Sequence, residues 1–300
     1  MVVRFFRLVA AAAGRGLSCA VAVTVGFGTT NVTPVEAAHL NPTQTSVSSN
    51  WAGYVASGGD TLTVEPTTFS TVSARWIQPK ADCRSTASAS SAFWVGLGGD
   101  SNNSNALEQA GTEADCTSAG ARYFAWYELV PAGSVRLGLK VTPGDELSVS
   151  VSVKGKQISI LMRNLSHGTS FAKTLRMVSP DTSSAEWIAE APSVCGSSAE
   201  CGQQPLANFG TVRFSGATAT SSGHTGSISD SSWTATPVKL QTGGSPGRFF
   251  VDGGFAPMHT IASALPTPLT RSGTTFSVNW HKPSPLRPSR GTGDGSPYSL

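Results

Sequence analysis

The chain has 300 residues, of which 39 % are hydrophobic and only 13 % are charged, against a usual charged share of about 25 %. Its formal net charge of +3 is small and no run of Lys or Arg occurs, so the sequence lacks the basic surface that binds nucleic acid. The 32 glycines and 18 prolines indicate many turns and few long exposed helices. The length suffices for one domain of roughly 200–250 residues with a substantial core.

The N-terminus has the pattern of an export signal. Three arginines precede the twelve-residue apolar run GLSCAVAVTVGF, and small residues surround Ala37. The run is shorter than the ~20 residues that span a bilayer, so we expect no membrane association after cleavage. We therefore predict a signal peptide at 1–37, a secreted protein, and a polar lead-in or short pro-segment at 38–47.

The cysteines fit an oxidising compartment. Signal cleavage removes Cys19 and leaves four cysteines, an even number that favours two disulfides in an exported chain. Three pairings are possible. A Cys195–Cys201 bridge would close a short loop and leave Cys83–Cys116, and we predict these two bridges. A zinc site is the alternative, although the sequence has no CxxC spacing to support it.

From Ser48 onward, short β-like runs alternate with turn clusters, which is typical of an antiparallel sandwich or barrel. The runs that we predict as strands are TLTVEP, TVSARWIQP, SAFWVGLGG, YFAWYELVP, VRLGLKVTP, ELSVSVSV, QISILMRNL, KTLRMV, AEWIAEAP, GTVRFSGATAT, KLQT, RFFVD and TTFSVNW. We expect one all-β sandwich domain of a dozen or more strands over 48–281. The Pro/Gly/Ser-rich tail at 282–300 is predicted to be disordered.

The segment AEWIAEAP carries two glutamates, Glu186 and Glu190, in a chain with few charges. In a helix their positions would lie about 6 Å apart along the axis. In a strand they share a face but lie about 13 Å apart. The strand prediction therefore excludes them as the two carboxylates of one glycosidase site, which need about 5–9.5 Å. The partner of either glutamate must come from elsewhere in the chain.

Familiar catalytic patterns are mostly missing. The sequence has no HExxH, Asp-Thr-Gly or Asp-Ser-Gly motif. GGSPG fits G-x-S-x-G by letters, but it precedes RFFVD and lacks the strand–turn–helix context of a nucleophile elbow. None of the histidines lies beside a plausible nucleophile in the sequence.

Carboxylates and amides on strands remain. In YFAWYELVP, alternation puts Phe124, Trp126 and Glu128 on one face, and a glutamate between aromatic rings has its pKa raised by desolvation. In ALEQAG, Leu107 and Gln109 share a face, and an inward-facing glutamine is costly unless its amide is used.

Five motifs occur together: SSNWAG, FWVGLGG, LEQAG, AWYELVP and AEWIAEAP. In combination they resemble the eqolisins, the glutamic peptidases, over about residues 48–280. The resemblance implies a sandwich of two large antiparallel sheets of the concanavalin A-like lectin and glucanase type. It also implies cleavage of polypeptides at acid pH by a Gln/Glu dyad, without metal or cofactor.

Matching residue by residue, the resemblance assigns the catalytic pair to Gln109 and Glu190. Glu190 would act as the base toward water, while the Gln109 amide would donate to the oxyanion. Five further residues match the lining of the family's substrate cleft: Trp51, Trp94, Glu113, Trp126 and Glu128.

The sequence departs from the fungal pattern at four of the matched positions. Gly98 stands where those enzymes have an aspartate, Phe124 replaces an acidic residue, Val130 replaces an aromatic one, and Glu113 replaces an aspartate. The dyad itself is intact.

Two other functions fit some of the same residues. A non-catalytic glycan- or protein-binding module of lectin type could stack sugars on the three tryptophans of the cleft. A glycosidase could use Glu128 and Glu190. Under each interpretation we expect a monomer.

Overall fold

The computed structural model describes residues 45–58, 67–84, 88–100, 104–195, 201–241 and 262–282, without the side chains of residues 194, 195 and 201. The predicted signal peptide, residues 38–44 of the lead-in, the tail after residue 282 and the predicted strands TLTVEP and RFFVD lie outside these ranges.

The described residues form an all-β structure. They contain no helix of the length and apolarity that a membrane crossing requires. The strands are β1 (Ser46–Ser48), β2 (Trp51–Gly58), β3 (Phe69–Ile77), β4 (Ser90–Gly98), β5 (Leu107–Thr117), β6 (Gly120–Val130), β7 (Val135–Arg136), β8 (Glu146–Lys154), β9 (Gln157–Asn164), β10 (Thr169–Arg176), β11 (Ser184–Glu190), β12 (Ser193–Cys195), β13 (Cys201–Gln203), β14 (Thr211–Ser221), β15 (His224–Ser227), β16 (Trp233–Gln241), β17 (Ser263–Pro266) and β18 (Phe276–His281).

Hydrophobic alternation explains most of these strands. Along β8 every second residue is buried and the residues between are partly exposed, as expected for a strand with one face on a core. β4 is buried along its whole length, because it lies between neighbouring strands and is covered on both faces.

The predicted strand VRLGLKVTP is wrong over most of its length. Only Val135 and Arg136 pair in a strand. Leu139 and Val141 are nevertheless buried in the core. The alternation of apolar residues correctly indicated that these side chains are buried. A buried side chain does not require its backbone to pair with a neighbouring strand, so the strand prediction failed.

One long, curled sheet supplies the layers of the sandwich. Its strand order is β10-β9-β8-β3-β14-β18-β17-β16-β2-β11-β4-β5-β6-β7, with antiparallel pairing along this path. β1 joins β16 in parallel. Strands of the first half pack on strands of the second, including β3 on β4 and β8 on β5. The antiparallel all-β prediction is confirmed, and the concanavalin A-like type stays a prediction.

Two apolar clusters lie on opposite faces of the second half of the sheet. The main core includes Phe93, Trp187 and Phe214, which are fully buried. The opposite face of β2, β11, β4, β5 and β6 carries a second cluster, which we call the tryptophan face: Trp51, Val55, Ala92, Trp94, Leu107, Trp126, Ile188 and Val238, with Phe124 and Val130 packed against it.

The disulfide prediction is confirmed for one pair. Cys83 and Cys116 are bonded, with an S–S distance of 2.07 Å. The backbones of Cys195 and Cys201 are direct partners across β12 and β13. Their side chains lie outside the described part of the chain, so this second bridge stays a prediction.

Candidate active site

β11 is the strand that AEWIAEAP predicted, and it carries Glu190 on the tryptophan face. Ile188 belongs to that face, so its neighbours by alternation, Glu186 and Glu190, point the same way. Glu190 pairs with Trp51 of β2 on one side and with Ala92 of β4 on the other. The site therefore lies in the middle of the sheet, where the pairing on both sides holds the backbone.

β5 and β6 carry four of the other predicted side chains on the same face, and β4 and β2 contribute Trp94 and Trp51. Cross-strand pairing arranges these residues in two rows. One row runs Glu186, Gly96, Gln109, Glu128, and the other runs Glu190, Ala92, Glu113, Phe124. Between them lies a third row: Ile188, Trp94, Gly111, Trp126. The sheet thus brings all seven predicted catalytic and cleft residues to one face.

The glycines of these rows leave room for the large side chains. A Cβ atom at Gly111 would lie 2.5 Å from the Cβ of Trp94, so only glycine fits beside that indole. A Cβ atom at Gly96 would lie 3.2 Å from the Cβ of Gln109 and 3.0 Å from the Trp94 ring. The missing side chains thus leave space for Trp94 and Gln109 on this face.

Glu190 is partly buried, and both of its carboxyl oxygens accept hydrogen bonds. Trp94 Nε1 donates to Oε2 at 2.6 Å, and Asn50 Nδ2 donates to Oε1 at 2.9 Å. Ser48 Oγ donates to Asn50 Oδ1 at 3.1 Å, which orients the amide. Trp51 packs edge-on against Trp94 with ring centroids 4.9 Å apart. Trp94 and Asn50, which are themselves held by their neighbours, therefore fix the carboxylate in position.

Burial raises the pKa of Glu190 to about 7. The hydrogen bonds from Trp94, Asn50 and Trp51 oppose this rise in pKa, because they stabilise the charged form, whereas the negative charge of Glu128 adds to it. The charge on Glu128 therefore acts on Glu190 across the face.

Gln109 is buried and donates from Nε2 to Oε2 of Glu128 at 2.7 Å. Burial raises the pKa of Glu128, and the hydrogen bond from Gln109 opposes this rise. The Oε1 atom of Gln109 is buried and has no hydrogen-bond partner among the described residues. A buried amide oxygen of this kind gains free energy when a bound molecule donates to it.

Gln109 and Glu190 share the face but lie two strands and two rows apart. No direct hydrogen bond joins them within the described structure, where Gln109 bonds to Glu128 and Glu190 bonds to Trp94 and Asn50. A molecule that contacts both side chains would have to span the gap between Gln109 and Glu190.

Glu113 lies in the Glu190 row. Its pKa is raised to about 9, first by burial and then by the neighbouring carboxyl of Asp115, with smaller contributions from Glu190 and Glu128. Glu113, Glu128 and Glu190 thus form a coupled set in which ionising one group disfavours ionising the others. In the described ranges no cluster of three or more His, Cys, Asp or Glu is arranged to hold a metal ion.

The sequence interpretation left out Asn50 as a ligand of Glu190. The only available signal was its place inside the SSNWAG motif, directly before the predicted strand. It also left Glu186 without a role. Glu186 is fully buried at the end of the Gln109 row.

Glu186 and Glu108 are both fully buried acids. Burial raises the pKa of Glu186 well above its usual value and that of Glu108 to about 8. Glu108 Oε1 accepts from the Asp181 amide at 3.2 Å. The Ser184 hydroxyl opposes the rise at Glu186, although neither carboxyl oxygen of Glu186 meets hydrogen-bonding geometry with a described residue.

A cavity of about 910 Å³ lies apart from this face, beside the segment 176–183. It is lined by Leu129, Pro131 and Met177 among others and contains none of the predicted site residues. We therefore define the site by the tryptophan face and not by this cavity.

Known proteins share this arrangement of strands and motifs. The model of the Peptidase A4 family matches residues 49–246. The chain is 31 % identical over 209 residues to scytalidopepsin B of Scytalidium lignicola, covering 67 % of this chain and 75 % of that protein. It is 31 % identical over 224 residues to aspergillopepsin-2 of Aspergillus niger, and this match covers 68 % of this chain and 74 % of that protein.

Solved structures agree. Scytalido-glutamic peptidase with a peptide-based transition state analog superposes with a TM-score of 0.59 at 27 % identity, covering 78 % of this chain and 98 % of that one. SCP-B, an eqolisin in complex with the tripeptide Ala-Ile-His, superposes with a TM-score of 0.56 at 26 % identity, and it also covers 78 % of this chain and 98 % of its own. The protein is accordingly a hydrolase, an endopeptidase of the glutamic type. The chain belongs to the Peptidase A4 (eqolisin) family.

Proposed function

We propose that this protein is a secreted, monomeric endopeptidase that hydrolyses polypeptides with Glu190 as general base and Gln109 as oxyanion donor. The observation that carries the proposal is the Glu190 carboxyl, held by Trp94 and Asn50 on the face that also presents the Gln109 amide. The peptide-derived ligands of the two related structures support polypeptides as substrates. The predicted signal peptide supports secretion.

In the first step, a water oxygen attacks the carbonyl carbon of the scissile peptide bond while the Glu190 carboxylate takes a proton from that water. The carbonyl π bond opens and its electron pair moves to oxygen. An N–H of Gln109 donates to this oxyanion.

In the second step, the tetrahedral intermediate collapses. The protonated Glu190 gives its proton to the amide nitrogen, the C–N bond breaks, and the amine leaves. The carboxylate is thereby regenerated, so one water is consumed for each bond cleaved and Glu190 returns to its starting state.

Gln109 suits its role because its amide nitrogen has two hydrogens and never titrates. One hydrogen donates to Glu128, which holds the side chain in place. The other remains for the oxyanion.

The acid activity that the resemblance implies depends on the state of Glu190. A carboxyl with a pKa of about 7 is only about 1 % ionised at pH 5. Hydrogen bonds from a bound water to the carboxylate lower the pKa and restore the ionised fraction. We therefore propose activity on the acid side of neutrality, with an acid limb above that of an ordinary glutamate.

Digestion of casein at about pH 3–7, with pepstatin and EDTA present, tests the proposal. Glu190→Gln keeps the shape and removes the base, and Gln109→Ala removes the donor. Loss of one oxyanion donor costs roughly 10²–10³ in rate, and loss of the base should cost at least as much. Glu146→Gln, a partly buried glutamate at the start of β8, is the matched control.

Circular dichroism must show that each variant is folded. Near-normal proteolysis by folded Glu190→Gln would overturn the assignment. Inactive wild type that cleaves a β-glucan would support the glycosidase, and inactive wild type that binds glycans would support the lectin-type module.

A further inference from the structure

Arg136 stands at the outer edge of the tryptophan face. It lies on β7 directly opposite Trp126 of β6, so the two side chains share a face. Its guanidinium carbon lies 3.7 Å from the centroid of the Phe124 ring. This cation–π contact fixes a positive charge beside the row that contains Glu190.

The guanidinium retains its hydrogen-bonding capacity. Arg136 is exposed, and within the described residues it makes no ion pair and donates no side-chain hydrogen bond. Stacking uses the flat face of a guanidinium, whereas its N–H donors point outward in the plane. Two of those donors match the two oxygens of a carboxylate.

The second cation–π pair of the described structure is different. Lys173 lies over Tyr127 at 5.5 Å, on the opposite face of β6, and its ammonium already donates to the Tyr127 hydroxyl at 3.2 Å. Of the cations in these two pairs, Arg136 is thus the one that faces the candidate site and has its hydrogen-bond donors available.

Glu113, the carboxyl that follows Phe124 in this row, does not neutralise this charge in acid. Glu113 pairs with Phe124 across β5 and β6, and burial with the nearby Asp115 keeps it protonated. A carboxylate on a bound peptide would therefore meet a net positive group at this edge.

We infer that Arg136, held on Phe124, forms a subsite for an acidic side chain of the substrate, an aspartate or a glutamate. The inference rests on the proposed peptidase function and names the substrate class that the enzyme prefers. The acidic residue occupies the position of the bound peptide, counted from the scissile bond, whose side chain reaches Arg136 on β7.

Peptide pairs that differ only in Glu or Gln at one position test the subsite, with that position moved along the peptide. At about pH 5.5 a peptide glutamate is ionised, because its pKa is about 4.3. At one position kcat/KM should favour Glu by about fivefold at low salt. Arg136→Gln should bring that ratio close to one, and Arg136→Glu should invert it.

Two controls make the result specific. Lys173→Gln removes a charge and a cation–π contact on the other face and should leave the ratio unchanged. At about pH 3 the peptide glutamate is protonated, so the wild-type ratio should fall to near one. No preference at any position, or a preference that survives Arg136→Gln, would overturn the inference.

Binding separates this inference from the proposed function. The same pairs are titrated against Glu190→Gln and against Glu190→Gln/Arg136→Gln, following tryptophan fluorescence. A Glu preference in Kd that the second substitution abolishes supports the subsite even if casein is never cleaved. Equal Kd values for each pair refute the subsite even if the peptidase proposal holds.

Discussion

Gln109 donates a hydrogen bond from Nε2 to Oε2 of Glu128, and the two residues are direct partners across β5 and β6. The bond ties Gln109, the member of the proposed dyad that cannot titrate, to a carboxyl that can. When Glu128 ionises, the bond becomes charge-assisted and binds the amide more tightly. The negative charge also opposes the oxyanion. Glu128 must therefore be protonated for Gln109 to act at full strength.

Glu128→Gln is expected to flatten or raise the alkaline limb of kcat/KM, because a glutamine at this position never acquires the charge. In the proposed mechanism the acid limb reports the ionisation of Glu190, and it should stay at or below its wild-type position. A pH profile measured alongside thermal stability separates catalysis from unfolding. An unchanged profile in the folded variant would assign the alkaline limb to Glu113, whose pKa is raised to about 9.

Trp94→Phe is expected to move the acid limb to higher pH. The substitution removes the Nε1 donor to Glu190, which stabilises the ionised form. A hydrogen bond to a charged group contributes about 1.5–3 kcal/mol, which corresponds to about one to two pH units.

Trp126→Phe is the matched control for the acid limb. Trp126 is buried on the same face, but its Nε1 has no hydrogen-bond partner in the described part of the chain. The midpoint of the acid limb should therefore not move, whatever happens to KM. Equal shifts in both variants would contradict the role of the Trp94 hydrogen bond.

Glu186→Gln is expected to stabilise the fold near neutral pH and to change little in acid. The pKa values of Glu186 and Glu108 are raised in the folded state. The contribution of their protonated carboxyls to the free energy of unfolding is therefore fully present below about pH 4.5. It is lost as pH rises toward 8, by up to about 1.4 kcal/mol per pH unit for each group. An amide mimics the protonated carboxyl and removes the contribution of Glu186 to that loss.

Urea unfolding at pH 4 and pH 7 measures this effect. The difference in unfolding free energy between the two pH values should shrink in Glu186→Gln and remain in the control Glu146→Gln. If the variant and the wild type lose the same stability between pH 4 and pH 7, Glu186 is not the source.

Peptide mapping without reduction should find Cys195 linked to Cys201, because their backbones are opposite one another in adjacent strands. Loss of the bridge should cost about 2–3 kcal/mol on the chain-entropy estimate. It should also lower activity, since the loop follows the strand that carries Glu190. A Cys83–Cys195 peptide would contradict both this prediction and the observed Cys83–Cys116 bond.

The sequence by itself determined the strands and the faces of the site residues. Side chains in a strand alternate with a period of two, so the letters around Gln109, Glu128 and Glu190 suffice to say which of their neighbours point the same way. The cleft assignment of Trp51 and Trp94 came from the resemblance to the eqolisins and not from alternation. The even number of cysteines indicated two disulfides, and the short Cys195–Cys201 loop left Cys83 and Cys116 as the second pair.

Only the tertiary structure decided which of these residues meet. Asn50 reaches Glu190 across 140 positions of sequence, and Trp94 reaches it across 96. The irregular path of VRLGLKVTP, the burial of Glu186 and the stacking of Arg136 on Phe124 likewise depend on strand register and on neighbouring layers. Register is fixed by pairing between distant segments, and alternation within one segment carries no information about which residue lies opposite.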